Sequence, residues 1–130
     1  MTNPAVEEVL AHLRTDFPDA NVHFMPDGNG GGAVVIESVD LGQDYAPAKT
    51  WLGAHLPSTL PYADIYPLFI GAEVVKTNGQ AHNNPISAGH TFNGRPAIQI
   101  SKRSNNLVAT AEAAALKFTK VLHFIREAAK

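Results

Sequence analysis

Ten glycines and nine prolines punctuate this chain and leave only short apolar runs between them. Helices of ordinary length do not fit such spacing. Glycine loses the most conformational freedom on ordering, and proline lacks the N–H that a helix interior needs. Two longer segments, one at each end, escape the interruptions. The pattern predicts an α+β domain: an opening helix, short strands joined by turns, and a closing helix. At 130 residues the chain is expected to form one domain over residues 1–130, burying roughly 65–70% of its unfolded surface. No 20–50-residue repeat and no linker-like low-complexity run divides it.

The first helix is expected to start at Asn3 and Pro4. Asn can cap free N–H groups, and Pro at the first helical position gives up nothing. Glu7 and Glu8 fall where the helix dipole favours negative charge. Val6, Leu10, Leu13 and Phe17 make one apolar stripe, and Pro18 ends it. The last helix runs from Leu107 or Thr110 to Ala128, burying Ala111, Ala115, Phe118, Leu122 and Ile125, with Ala114 and Val121 at the flanks. Lys117, Lys120 and Arg126 are expected on its other faces.

Between the helices, residues 21–25 and 33–41 read as a hairpin around the glycine-rich turn 26–32. Residues 50–56 and 65–75 read as two further strands, completing a four-stranded antiparallel meander. Tyr62, Tyr66 and Phe69, with Pro61 and Pro67, read as core plus turn. Residues 76–90 dissolve into Asn, Gly, His and Pro and are expected to be irregular, as functional loops often are. A short extended piece covers 96–100.

Composition excludes several chemistries. No run of ~18 apolar residues is present to cross a membrane. The opening segment carries early acid and no apolar stretch, so it does not read as a secretory signal, and the cytoplasm is the default expectation. A net charge of −2 argues against electrostatic nucleic-acid binding. With no cysteine there is no disulfide, thiolate metal site or thiol nucleophile. The turn Gly28-Asn29-Gly30-Gly31-Gly32 lacks the Gly-Lys-Ser/Thr that a phosphate-binding P-loop requires and reads as a hairpin turn. His82 and His90 are able to ligate a metal but lack a His-x-x-x-His partner, so no metal and no cofactor is expected. His12, His23, His55 and His123 fall inside predicted elements and are expected to be partly packed. Ser87, His90 and Asp64 make a hydrolase triad on paper, without a Gly-x-Ser-x-Gly elbow. The basic, hydroxyl-rich run Ser101-Lys102-Arg103-Ser104-Asn105-Asn106 reads as a solvated loop before a helix, or as a site for an anion or a partner's carboxylate.

The element order resembles the ubiquitin-conjugating (E2, UBC-like) fold, closest to its divergent bacterial members. Two segments carry the resemblance. Tyr66-Pro67-Leu68-Phe69-Ile70-Gly71-Ala72-Glu73-Val74 is similar to the family's Tyr-Pro-x-x-x-Pro, with Gly71 in place of the second Pro. His90-Thr91-Phe92-Asn93-Gly94-Arg95-Pro96-Ala97-Ile98-Gln99 is similar to its His-Pro-Asn followed by Gly-x-x-Cys-Leu, without the Pro-Asn. The resemblance implies that Ala97 stands at the nucleophile position, with His90, Asn93 and Gly94 beside it. A thiolate both attacks and leaves in E2 chemistry, and alanine does neither. The absence of every other cysteine and of the Pro-Asn reads as natural loss of the nucleophile rather than a single engineered replacement.

The expectation is a catalytically inactive, E2-like binding module, similar to ubiquitin E2 variants, with a ubiquitin-like protein or an E1-like enzyme as partner. Arg95, Ser101, Lys102 and Arg103 are the expected partner-binding residues, and the resemblance implies E1 docking on the first helix. The alternatives are a cysteine-independent enzyme, an oxyester-forming conjugase or small hydrolase using His90, Asn93 and Ser101 in one groove, or a structural partner in an unrelated complex.

Overall fold

The computed structural model describes residues 2–130. In chain order the elements are α1 (Pro4–Asp16), β1 (Asn21–Pro26), β2 (Gly32–Asp40), β3 (Tyr45–Ala46), β4 (Lys49–Leu56), β5 (Leu68–Gly71), β6 (Val75–Lys76), β7 (Ile86–Phe92), β8 (Arg95–Ile100) and α2 (Ala111–Ala128). The helix–antiparallel sheet–helix architecture matches the expected α+β class. Asn3 Oδ1 accepts the N–H of Ala5, and Pro4 opens the helix. The same side chain donates to Ser58 O at 2.8 Å, tying the start of α1 to the loop after β4. Thr110 caps α2 by accepting from Ala113 N.

The main sheet has the order β1-β2-β4-β5-β8-β7, with every pairing antiparallel. The expected meander is therefore present as β1, β2, β4 and β5, but the sheet does not stop there. A second hairpin, β7–β8, extends it by two strands. Residues 76–90 are correspondingly less irregular than their composition suggests, because 86–92 form β7. This is an edge strand whose ladder is interrupted between Ser87 and His90. Ala88 and Gly89 are exposed there, so no apolar alternation marks the strand. The expected fourth strand shrinks to β5. Pro67 has no N–H to give a ladder, and β6 leaves to pair with β3 in a separate two-stranded sheet.

Strand alternation sends two sets of side chains to opposite faces. Val34, Ile36, Leu52, Ala54, Leu56, Leu68, Ile70, Ile98 and Ile100 form one core with Val6, Val9, Leu10 and Leu13 of α1 and with Ala115, Phe118, Val121, Leu122 and Ile125 of α2. Both helices thus cover the same face. The other face carries a smaller cluster of Val35, Trp51 and Ala97, flanked by Met25, Phe69 and Phe92.

Several expectations need correction. Lys117 is not on a solvent face of α2; it is 6% exposed, because Asp64 and the segment before the helix close over it. Tyr62, placed with the core by its neighbours, is exposed. His23, His55 and His123 are exposed rather than packed, and of the four only His12 is partly buried.

Candidate functional site

The β7–β8 hairpin carries residues 90–99, the segment in which the sequence resembles the E2 motif. Asn93 and Gly94 form its turn at positive φ, 51° and 78°, a conformation that Gly adopts freely and Asn tolerates. Across the ladder His90 faces Ala97, and Phe92 faces Arg95. Ala97, at the position the resemblance assigns to a nucleophile, lies in mid-strand and is fully buried.

What covers it is an aromatic stack that the sequence reading missed. Phe92 stacks on Phe69 at 4.8 Å and on Trp51 at 6.1 Å. Gly53 makes room for it, since a Cβ there would stand 2.7 Å from the Phe92 ring. Arg95 lies over Trp51 at 4.6 Å and donates to Glu37 at 3.0 Å. Glu73 borders the same end of the face, in an open hollow with Trp51 and Arg95. Part of the signal was available: Trp51 and Phe69 fall out of phase with the residues facing the helices, and a glycine interrupts the Trp51 strand. Phe92, by contrast, is in phase with core-facing Ile86, and only the interruption between Ser87 and His90 turns it to this face.

The structure does not gather the proposed relay. Ser101 lies four residues beyond Ala97, roughly 13 Å along an extended chain, while Asn93 sits at the opposite end of the hairpin. Ser101 Oγ instead accepts from Gln99 Nε2 at 2.9 Å. Two of the three members of the paper triad do meet: Ser87 Oγ and His90 Nε2 are 3.0 Å apart. Asp64 does not join them, because it accepts from Ser104 N, Ser104 Oγ and Lys117 Nζ at 2.8, 2.8 and 2.9 Å. Among the described residues no carboxylate pairs with His90, so the acid that would orient its ring in a triad is missing. His82 donates from Nε2 to Val74 O, and its Nδ1 is buried without a partner. Among the described residues no three His, Cys, Asp or Glu converge to hold a metal.

The expected partner-binding residues divide between two places. Arg95 belongs to the open sheet face. Lys102 and Arg103 follow the far end of β8 and turn toward the helix layer, where Lys102 lies over Phe124 at 5.0 Å and Arg103 over Tyr66 at 3.9 Å. Together with Lys117 and Lys120 they line a cleft of about 340 Å³ between residues 102–108 and α2. Asp64 ties this loop to the helix. Burial pushes its carboxyl pKa up, but the Ser104 N–H, the Lys117 ammonium and the Ser104 hydroxyl outweigh that and hold it below the ordinary value. Lys117 and Lys120 were legible as charges three residues apart on one helix, but not as facing this loop. The first helix exposes Glu7, Glu8, Arg14 and Asp16.

Comparison with protein-family models, curated proteins and solved structures returned no match.

Proposed function

We propose that the protein is a non-catalytic, E2-like binding module that docks a ubiquitin-like or E1-like protein on the open face of its sheet. The observation that carries this reading is the setting of Ala97. It has no nucleophile, and aromatic rings cover it, so a reacting group at that position would be shielded from a partner. Beside it Phe69, Phe92 and Arg95 are partly exposed over a buried Trp51, and aromatic and Arg side chains are the types enriched at protein interfaces. Arg95 is about two-fifths exposed and already held by Trp51 and Glu37, so little side-chain freedom remains to be lost on docking.

Calorimetric titration with the purified ubiquitin-like and E1-like proteins of the source organism tests the reading. One of them binds with a Kd of roughly tens of micromolar, and Arg95→Glu weakens it at least tenfold. Incubation with E1-like enzyme and ATP yields no covalent adduct. Failure of all of them to bind at several hundred micromolar, or a stable ester adduct, contradicts the proposal.

A further inference from the structure

We propose that the cleft between residues 102–108 and α2 is a binding site for a small organic phosphate carrying two or more negative charges. This stands apart from the docking reading, because the cleft and Arg95 lie at opposite ends of β8.

Charge distribution is the starting point. The chain is net negative, yet four of its ten Lys and Arg residues line this one cleft, against the single carboxylate of Asp64. That carboxylate is consumed by Lys117. Among the described residues, Lys102, Arg103 and Lys120 have no acidic partner within ion-pair distance. Two of the three are nevertheless held in place. The Phe124 and Tyr66 rings orient Lys102 and Arg103 without neutralising them. An ion pair would have spent these charges; a π-face leaves them available. The Asp64–Ser104–Lys117 connection fixes the loop against the helix, so the cleft exists before a ligand arrives, with Lys102 and Arg103 on its loop wall and Lys117 and Lys120 on its helix wall.

The ligand class follows from charge and lining. One carboxylate would leave two of the three positive charges uncompensated, whereas a phosphate ester or diphosphate matches them, and Lys and Arg together suit tetrahedral oxyanions. The cleft is of ordinary small-ligand size. Leu107 and Val108 stand on its rim, 47% and 57% exposed, where they offer an apolar surface to the organic part. The first turn of α2 also contributes Ala113 to the wall, but Glu112 in that turn offsets the positive helix end, so the Lys and Arg side chains carry the attraction.

The test is a titration of the ¹⁵N-labelled protein with inorganic pyrophosphate, with citrate and sodium chloride at matched ionic strength in parallel. Pyrophosphate produces saturable shifts confined to residues 102–108 and 113–121, with a Kd of roughly 1 mM or tighter. Lys102→Gln/Arg103→Gln and Lys120→Gln each weaken it at least fivefold while melting like the wild type. Arg95→Gln leaves it unchanged. Unsaturated shifts at 10-fold higher pyrophosphate, or equal weakening by Arg95→Gln, refute the site. Citrate binding as tightly as pyrophosphate refutes the phosphate assignment.

Discussion

Replacing Asp64 with alanine is the substitution whose cost the structure lets one work out most fully. The carboxylate accepts three hydrogen bonds, and its principal partner, Lys117, is only 6% exposed. Removing it strands an ammonium that keeps only Ser104 Oγ, at 3.1 Å. Truncating one partner of a fully buried pair costs about 3–5 kcal/mol. Asp64 itself is 20% exposed, so water reaches the site and the cost falls to the lower end of that range or below it. The expected loss is about 2–3 kcal/mol in urea denaturation, or about 7–12 °C in Tm for a domain of this size. Adding Lys117→Met to Asp64→Ala should recover at least half, because the unpaired charge goes with it. The pH dependence has a fixed sign. A folded pKa below the unfolded value makes the contribution fully present above the unfolded pKa, near 3.9, and lost as pH falls through the folded value. The stability gap between wild type and Asp64→Asn is therefore flat from neutrality to about pH 5 and closes below about pH 4. A loss under about 0.5 kcal/mol for Asp64→Ala, or a double variant no better than the single, would refute the reasoning.

Other substitutions separate the layers of the fold. Phe118→Asp places a charge in the helix–sheet core and should abolish cooperative unfolding, whereas Lys102→Glu/Arg103→Glu should change stability by no more than about 1 kcal/mol, as circular-dichroism melts will show. Gly53→Ala pushes a methyl into the Phe92 ring and should cost about 1–2 kcal/mol, a penalty that Phe92→Val relieves when the two are combined. Ser87, hydrogen-bonded to a histidine that no carboxylate orients, should resist labelling by a fluorophosphonate; stoichiometric labelling followed by mass spectrometry would reveal an active serine instead.

The parts of the fold governed by local chemistry were legible in the sequence. The Asn3–Pro4 start of α1, the stripe of α2 and the hairpin turn at 26–32 each depend on residues a few positions apart. What escaped depended on distant partners. Edge strand β7 has half-exposed side chains and a broken ladder, so its pairing with β8 leaves no periodic trace. Lys117 looks like a surface charge until Asp64, 53 residues away, is placed against it. The basic loop was visible as a loop, but Lys117 and Lys120 joined it only through the fold. The hydrogen bond between Ser87 and His90 was not readable from spacing, because residues three apart on a regular strand face opposite sides and only the interruption between them brings them together. The diversion of Asp64 was hidden as well. Arg95 and Lys102 are seven positions apart in sequence, and only the strand between them assigns them to different surfaces.

Docking of a conjugation-type partner on the open sheet face, without covalent chemistry, is what we propose for this protein. Amide and methyl spectra recorded during titration with a ubiquitin-like protein from the source organism, with E1-like enzyme and ATP present, test it most directly. The expected result is saturable shifts centred on Phe69, Phe92 and Arg95, reversed on dilution, with the protein's mass unchanged. Shifts confined to α1 or the basic cleft, no shifts at all, or a mass gain matching an attached partner would contradict it.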